Sequence, residues 1–421
     1  MGDDAGATRA WVLHPDIKSE RNRRNPEASL DEARALALPD LEVVGANVVP
    51  LPRARPGELF GKGKLAELGA RFKAEEIDLV LIDGPVTPVQ QRNLERSWGL
   101  KLLDRTGLIL EIFADRARTR EGVLQVELAA LSYQRTRLVR AWTHLERQRG
   151  GLGFVGGPGE TQIEADRRAI DDAITRIRRQ LAKVVKTREL HRAARAKVPY
   201  PIVALVGYTN AGKSTLFNRL TGAEVMAKDM LFATLDPTMR AVTLPSGVDV
   251  ILSDTVGFIS ELPTQLVAAF RATLEEVLAA DLIVHVRDIA HDDTEAQARD
   301  VARILLGLGV SEETPMLEVW NKIDLVSPEN REALGARAVR RDEVHIVSAL
   351  TGEGLDPFLT AVSVALEPPT LQETITLKFS DGRKRAWLFD HSLVENQLET
   401  EEGWAISLKW TARQKADFSK L

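Results

Sequence analysis

The stretch from Gly207 to Thr215 carries the residue types that bind phosphate. It fits the pattern G-x-x-x-x-G-K-[ST], in which glycines let backbone N–H groups turn inward around phosphate oxygens. Lys213 would neutralise the charge of the β- and γ-phosphates, and Ser214 would offer its hydroxyl to Mg²⁺. The predicted nucleotide contacts in this loop are Gly207, Tyr208, Thr209, Asn210, Ala211, Gly212, Lys213, Ser214 and Thr215.

Two later segments carry the other groups that a phosphate and metal site requires. Asp254 ends an apolar run and is expected to hold Mg²⁺ through water, while the Gly257 amide meets the γ-phosphate. Thr234 is the predicted second Mg²⁺ ligand, and Thr238 is the competitor, because a flexible loop gives no register. The predicted nucleotide contacts here are Phe232, Ala233, Thr234, Leu235, Asp236, Asp254, Thr255, Val256 and Gly257; the groups assigned to catalysis are Lys213, Thr234 and Gly257.

The sequence Asn321-Lys322-Ile323-Asp324 selects guanine over adenine. A carboxylate at Asp324 can accept from guanine N1–H and the 2-amino group, whereas adenine offers neither donor. Leaving that carboxylate unpaired in a desolvated site costs about 1 to 3 kcal/mol. The predicted guanine-side contacts are Asn321, Lys322, Asp324, Ser348, Ala349 and Leu350. Five such motifs in the correct order predict an α/β P-loop GTPase domain.

Alternating strands and helices must position these motifs. In the GTPase region, strands are predicted at Tyr200–Val206, Met239–Leu244, Val248–Asp254, Leu282–Val286, Met316–Trp320 and Val344–Val347, with a helix at Lys213–Leu220. Nearer the N-terminus, strands are predicted at Ala10–Leu13, Glu42–Val49, Ile77–Ile82 and Lys101–Leu103, with helices at Leu30–Leu38, Lys64–Glu75 and Pro88–Arg96. This order indicates a small α/β layer with a parallel sheet.

Helix starts are marked by capping patterns in the N-terminal region. Ser29 with Glu32, and Thr87-Pro88 with Gln90, fit the capping box and proline at the first helical position. Gly61-Lys62-Gly63-Lys64 opens a helix and could hold an anion such as a second nucleotide, but a plain helix-entry turn is the favoured interpretation.

Two heptad stripes predict a long antiparallel helical hairpin. The stripes are Leu124, Leu128, Leu131, Leu138, Trp142 and Leu145 in the first arm, and Ile163, Ile170, Ile174, Ile177, Leu181 and Val184 in the second. Thr161 with Glu164 predicts where the second arm begins. The connecting loop, Gly150 to Gly159, contains G-x-G-x-x-G, but a charged helix rather than a strand precedes it, so a dinucleotide site is rejected.

Charge distinguishes the hairpin from the rest of the chain. Residues 135–197 contain 16 Lys/Arg and 7 Asp/Glu, a net +9, so with a total of −5 the remaining residues carry −14. A basic arm on an acidic protein is typical of RNA binding. The chain has no cysteine and no apolar run of about 18 residues. This composition excludes disulfides, Cys-ligated zinc and a membrane span, and predicts a cytoplasmic protein, expected to be a monomer.

The predicted domains are an N-terminal α/β domain at 1–110, the hairpin at 111–199, the GTPase domain at 200–366 and a small α+β domain at 367–421. In the last of these, Thr374–Phe379, Arg383–Leu398 and Trp404–Trp410 suggest a βαβ unit.

Most of the chain resembles the HflX family of translation-factor-class GTPases. The resemblance rests on the guanine motifs and on Gln90–Glu95, Asp115–Gly122, Leu124–Leu128 and Gly156–Gln162, and covers roughly residues 5 to 365. It implies binding of GTP and GDP, association with the large ribosomal subunit, and separation of stalled ribosomes, with the hairpin tip entering the peptidyl-transferase region. The implied ribosome-binding residues are Gly151, Leu152, Gly153, Phe154, Val155 and Gly156. Asn210 lies where potassium-stimulated GTPases, which this loop resembles, place a K⁺ ligand.

Phe258 follows Gly257, where many GTPases carry a water-positioning glutamine. A phenyl ring cannot hydrogen-bond water, so slow intrinsic hydrolysis is expected, with the missing group supplied elsewhere in the chain or by a partner. Two other functions stay open: a GTPase switch that docks a protein or membrane partner through the hairpin, and an ATP-driven RNA remodeller that uses Gly61–Lys64.

Overall fold

The computed structural model of the protein describes residues 7–19, 24–37, 41–148, 158–195, 200–223, 231–232, 234–235, 238–260, 276–311, 313–367 and 370–419. The chain divides into two units, Met1–Thr360 and Ala361–Leu421. In the described part of the chain, no helix is both long and apolar enough to cross a membrane.

The N-terminal region forms the predicted parallel sheet, with strand order β2-β1-β3-β4. Its strands are β1 (Arg9–Ile17), β2 (Glu42–Leu51), β3 (Leu79–Ile82) and β4 (Lys101–Asp104), and its helices are α1 (Pro26–Ala37), α2 (Lys62–Ala74), α3 (Pro88–Trp98) and α4 (Arg105–Arg116). Successive side chains of a strand face opposite sides. Ala10 and Val12 therefore pack with α1 and α4, while Trp11 and Leu13 pack with α2 and α3.

The capping predictions had mixed outcomes. Thr87 and Gln90 form the complete capping box at α3. Gly61 is the N-cap of α2, and Lys64 pairs with Glu67 at 2.6 Å, as in a plain helix-entry turn. The box at Ser29 is wrong because α1 already begins at Pro26 and Glu32 bonds to other elements instead. The box at Thr161 is wrong as well, because the second arm of the hairpin begins at Pro158.

The hairpin consists of α5 (Arg120–Gln148) and α6 (Pro158–Arg195). With 29 and 38 residues, these helices are about 44 and 57 Å long at 1.5 Å per residue. Leu124, Ile174 and Ile177 of the predicted stripes are buried, and Arg135 of α5 pairs with Asp171 of α6 at 2.7 Å. The predicted tip, Gly151 to Gly156, lies outside the described residues.

The GTPase region is a six-stranded sheet with order β10-β9-β8-β5-β7-β6, parallel except for β6. Its strands are β5 (Ile202–Gly207), β6 (Thr238–Thr243), β7 (Asp249–Asp254), β8 (Leu282–Asp288), β9 (Met316–Asn321) and β10 (Val344–Ile346), and its helices are α7 (Lys213–Thr221), α8 (Thr294–Leu308), α9 (Pro328–Ala338) and α10 (Leu355–Ala365). The phosphate loop follows the central strand β5, so the predicted order of elements is confirmed.

The second unit is an antiparallel sheet, β11-β13-β12, with two helices. It contains β11 (Thr370–Leu377), α11 (Gly382–Asp390), β12 (Val394–Thr400), β13 (Gly403–Thr411) and α12 (Ala412–Phe418). The α+β class is confirmed, but the βαβ interpretation is wrong. The helix predicted to Leu398 stops at Asp390, Ser392 adopts a positive φ of 53°, and the following residues pair with β13.

Candidate nucleotide-binding site

The phosphate loop joins the end of β5 to the start of α7. Gly212, the N-cap of α7, has φ 92°, and an added Cβ would lie 2.2 Å from the Asn321 Nδ2 atom. Glycine is therefore required there by both backbone conformation and space. The loop brings its predicted residues to one place, where the helix N-terminus favours an anion.

Lys213 is buried within this loop. Its Nζ donates to the carbonyl oxygens of Gly207, at 3.1 Å, and Tyr208, at 2.8 Å. Burial lowers the pKa of Lys213 to about 8, although the nearby Asp254 carboxylate opposes that shift. The ammonium group thus has neutral carbonyl partners and lies where a phosphate would complete its charge balance.

Ser214, Thr234 and Asp254 converge below the loop. Asp254 Oδ2 accepts hydrogen bonds of 2.7 Å from both hydroxyls, and the hydroxyl oxygens lie 2.9 Å apart. The other carboxylate oxygen, Oδ1, is buried and has no hydrogen-bond partner among the described residues. Burial raises the pKa of Asp254. Two hydroxyls and one unsatisfied carboxylate oxygen are the hard oxygen donors that suit Mg²⁺, so these residues fit the ion.

The alternative threonine lies on a strand instead. Thr238 is the first residue of β6 and pairs with Asp254 through the backbone ladder. Of the two threonines, Thr234 is the one whose hydroxyl contacts Ser214. Gly257 packs directly on the phosphate loop, since an added Cβ would lie 2.9 Å from Thr209 Cα and 3.1 Å from Lys213 Nζ.

Asn321 links the phosphate loop to the guanine side. Its Nδ2 donates to the Ala211 carbonyl at 2.9 Å, and its Oδ1 accepts from the Ala349 N–H at 2.9 Å. Both contacts are buried, so the Asn321 side chain fixes the phosphate loop against the guanine-side loop. Leu350 is 70% exposed.

Lys322 and Asp324 flank Asn321 differently. Lys322 has φ 65° and its Nζ pairs with Asp288 at 2.8 Å. Asp324 lies half-buried in a short 3-10 helix, Ile323–Leu325. Its carboxylate carries no hydrogen bond from the described residues, so it is available to a base.

Several predicted contacts point their side chains into the core rather than toward a nucleotide. Tyr208, Phe232, Leu235 and Val256 belong to the buried cluster beneath the site. Thr255 donates its hydroxyl to the Leu205 carbonyl at 2.6 Å. These residues therefore affect the site through the position of their backbone atoms. Ala233 and Asp236 lie outside the described residues.

Sequence reasoning missed the residues that hold the site from outside. Arg219 of α7 donates to the carbonyls of Leu350, at 3.3 Å, and Thr351, at 2.7 Å, so it fixes the guanine-side loop. Arg105 of α4 contacts Ser260, and Arg116 contacts the carbonyl of Phe232. Arginines at the ends of ordinary helices have no spacing signal that could have identified them.

Four family models together match most of the chain. They are described as GTP-binding GTPase N-terminal (residues 27–114), GTP-binding GTPase Middle Region (116–195), 50S ribosome-binding GTPase (202–322) and HflX C-terminal domain (333–420). The last match extends the family relationship beyond residue 365, where the resemblance from motifs ended.

Three relatives named GTPase HflX align with most of this chain. The protein from Magnetococcus marinus is 52% identical over 86% of this chain and 82% of its own. The Escherichia coli protein is 45% identical over 96% and 93%, and the one from Caldanaerobacter subterraneus is 42% identical over 92% and 89%. Together with the phosphate loop and the guanine-side residues, these matches show that the protein belongs to the HflX family of GTPases, which hydrolyse GTP.

Proposed function

We propose that this protein uses Mg²⁺ and GTP to bind the large ribosomal subunit and separate stalled ribosomes. The observation that carries the nucleotide part is the convergence of Ser214, Thr234 and Asp254 beside the buried Lys213. The basic hairpin and the match to a family described as 50S ribosome-binding GTPase support the ribosomal part.

Phosphate binding follows from the loop's electrostatics. Lys213 is held by two carbonyls, and a γ-phosphate oxygen would add the anionic partner that its buried charge lacks. Gly257 lies against Thr209 and Lys213, so its amide is close to the place where Lys213 would hold the γ-phosphate. Loss of that phosphate on hydrolysis would release Gly257 and the residues after it.

Ser214 and Thr234 would hold Mg²⁺ directly, and Asp254 would hold it through water. The ion supplies charge neutralisation between the β- and γ-phosphates. Because Thr234 contacts Asp254 directly, the first switch segment, of which residues 231–232 and 234–235 are described, is joined to the metal site. Its order should therefore depend on the metal and the γ-phosphate.

The residue after Gly257 offers no help to the attacking water. The Phe258 side chain is 1% exposed and packs in the core, while its carbonyl accepts from the Thr209 N–H at 2.7 Å. Intrinsic hydrolysis should thus be slow and accelerated by a partner that supplies the missing group.

The second arm presents basic side chains to solvent. Exposed cationic residues on α6 are Arg167, Arg168, Arg176, Arg178, Arg179 and Lys183. Log affinity falls as log salt concentration rises, and each phosphate contact makes this slope steeper by about one. Contacts of this kind would position the hairpin on ribosomal RNA without reading its sequence.

Co-sedimentation with ribosomes tests the proposal. Binding should require GTP or a non-hydrolysable analogue, disappear after ribonuclease treatment, and fail for Lys213→Ala, which loses the phosphate contact. A complex that survives the nuclease would instead favour docking to a protein partner.

A double variant separates the arm from the nucleotide site. Arg167→Gln with Arg178→Gln should reduce the salt slope of ribosome binding by about two and leave GTP affinity unchanged. Arg299→Gln, an exposed arginine on α8, is the matched control and should leave the slope as it is. An unchanged slope in the double variant would refute the role of the arm.

A further inference from the structure

Helix α4 contacts both nucleotide-sensing segments. At its first residue, Arg105 donates to the backbone carbonyl of Ser260 at 3.1 Å and to its hydroxyl at 2.8 Å. Ser260 lies three residues after Gly257, and residues 257–260 are called the second switch. At its last residue, Arg116 donates to the carbonyl of Phe232 at 2.8 Å. The Phe113 ring also packs edge-on against Phe232, with centroids 4.7 Å apart. One rigid helix of 12 residues thus links the two switches.

The residue before α4 contacts the hairpin instead. Asp104 caps α4 by accepting from the Gly107 N–H at 2.8 Å, and the same oxygen accepts from the Tyr133 hydroxyl. Its other oxygen accepts from Arg137, whose guanidinium lies 4.4 Å from the Tyr133 ring centre. Tyr133 and Arg137 belong to α5, the first arm. Asp104, which is bonded to the hairpin, and Arg105, which is bonded to Ser260 of the second switch, are therefore neighbours in the chain.

These contacts lie where open α/β sheets usually bind ligands. In the order β2-β1-β3-β4, β2 lies on one side of β1 and β3 lies on the other. Ligands of such sheets bind in the crevice beyond the carboxyl ends of the strands at this point, where the strand order reverses. Here the Asp83 carboxylate, just after β3, pairs with Arg105 and accepts from the Nδ1–H of His14 of β1 at 2.7 Å. Side chains of the GTPase region reach into this crevice.

The GTPase region inserts Tyr208 and Ser260 into this crevice. Glu32 of α1 accepts from the Tyr208 hydroxyl and, at 2.6 Å, from the Ser260 hydroxyl, and it pairs with Arg105. The Ser260 N–H donates to the Tyr208 oxygen at 2.6 Å. Phosphate loop and second switch are thus bonded to each other and to α1 and α4 by one buried network.

Burial makes this network sensitive to small displacements. Arg105 is 6% exposed, and a buried charge that loses a partner is strongly disfavoured. Ser260 cannot move away alone without breaking its hydrogen bonds to Arg105, Glu32 and Tyr208, so a displacement of the second switch moves α4 with it or breaks several bonds together. When α4 moves, Asp104 at its start moves as well, and with it the anchor of Tyr133 and Arg137.

We propose that α4, through Asp104 and Arg105, couples the nucleotide state to the orientation of the helical hairpin. Release or capture of the γ-phosphate moves Ser260 and Phe232, α4 follows both, and the arm held by Asp104 changes its angle to the GTPase region. This inference rests on the proposed GTPase function, and it adds the physical connection between GTP and the ribosome-binding arm.

Distance measurement between two spin labels tests the coupling. Because the chain has no cysteine, Arg179→Cys on α6 and Glu332→Cys on α9, both exposed, provide the only labelling sites. Double electron–electron resonance should give different distance distributions for the GDP state and the state with a non-hydrolysable GTP analogue. The absence of any difference in the full chain, with nucleotide bound, would overturn the proposal.

Two mild variants identify the path. Tyr133→Phe removes only the hydroxyl bond to Asp104, and Arg105→Lys keeps the charge but cannot contact Asp83, Glu32 and Ser260 at once. Each should lose at least half of the nucleotide-dependent distance change. Ser132→Ala, which removes a hydroxyl bonded within α5 to the Leu128 carbonyl, is the control and should keep the full change.

Nucleotide affinity separates failure of this inference from failure of the proposed function. Tyr133→Phe and Ser132→Ala should bind GDP and the analogue within twofold of the unsubstituted chain. Tyr133→Phe with full affinity and an undiminished distance change would refute the coupling path. A chain that fails to bind GTP at all would refute the proposed function.

Discussion

Asn321 and Asp324 share one motif, yet the structure gives them separate roles that a pair of variants can distinguish. Asn321 is buried and bonded at both amide atoms, to Ala211 and Ala349. Asn321→Ala leaves a buried carbonyl and a buried N–H unpaired, at about 1 to 3 kcal/mol each. We expect the unfolding free energy of the GTPase domain to fall by about 2 to 4 kcal/mol, allowing for partial rearrangement.

Scanning calorimetry of the nucleotide-free protein measures this loss. For a domain of this size, 1 kcal/mol shifts Tm by about 2 to 4 °C, so Asn321→Ala should lower the Tm of the GTPase-domain transition by about 4 to 16 °C. Asp324→Asn should leave it within about 2 °C, because no described residue bonds to that half-buried carboxylate and substitutions away from such contacts change the unfolding free energy by about 0.5 kcal/mol at most.

Asp324→Asn, which should barely change Tm, should have a large effect on GTP affinity. Hydrogen bonds to a charged group contribute about 1.5 to 3 kcal/mol, so Asp324→Asn should weaken GDP and GTP binding by about 10- to 150-fold in calorimetric titration. Equal Tm losses for the two variants, or unchanged GTP affinity for Asp324→Asn, would refute the division of roles.

Three further predictions concern the phosphate side of the site. The pKa of Lys213 is about 8 in the free protein, and phosphate binding should raise it. GTP affinity should therefore fall as pH rises through 8, and binding at pH 8.5 should take up about 0.8 proton. Calorimetry in two buffers of different ionisation enthalpy measures this uptake, and a result of no uptake would contradict the prediction. Asn210 as a K⁺ ligand predicts faster ribosome-stimulated hydrolysis in potassium than in sodium, and equal rates would remove that role. Gly257→Ala places a Cβ 2.9 Å from Thr209 Cα and should slow single-turnover hydrolysis at least tenfold. The control Gly335→Ala, whose Cβ meets open space, should leave the rate unchanged. A normal rate for Gly257→Ala would show that the second switch does not pack this way with GTP.

The features predictable from sequence were those determined within a few residues. The phosphate loop, Asp254 and Asn321 each follow a buried strand directly, so motif and hydrophobic run together gave their positions in the sheet. Thr87 and Gln90 form their capping box for the same reason, since all its bonds are local.

Contacts between distant segments were not predictable. Glu32 fits a capping box in sequence, but its carboxylate pairs with Arg105 and Ser260, 73 and 228 residues away. Thr238 stayed open as the alternative to Thr234 in the sequence, because only the folded loop brings Thr234 against Ser214. Helix α4 was missed because its apolar run is buried on several sides, which obscures helical periodicity.

The same limit explains the C-terminal error. Residues Arg383 to Leu398 lack glycine and proline and read as one helix, but the pairing of β12 with β13 overrides that local preference. Strand preference depends on the neighbouring strand more than on the segment itself, so pairing with a later strand cannot be inferred from the segment alone.

The most direct test of the account is sucrose-gradient sedimentation of stalled ribosomes mixed with the full chain and a non-hydrolysable GTP analogue. We expect the intact-ribosome peak to decrease and the subunit peaks to grow. Deletion of Leu152 to Val155 should abolish this separation while GTP binding remains. Ribosomes that stay intact with the nucleotide-bound full chain, or that the deletion variant separates at the same rate, would contradict it.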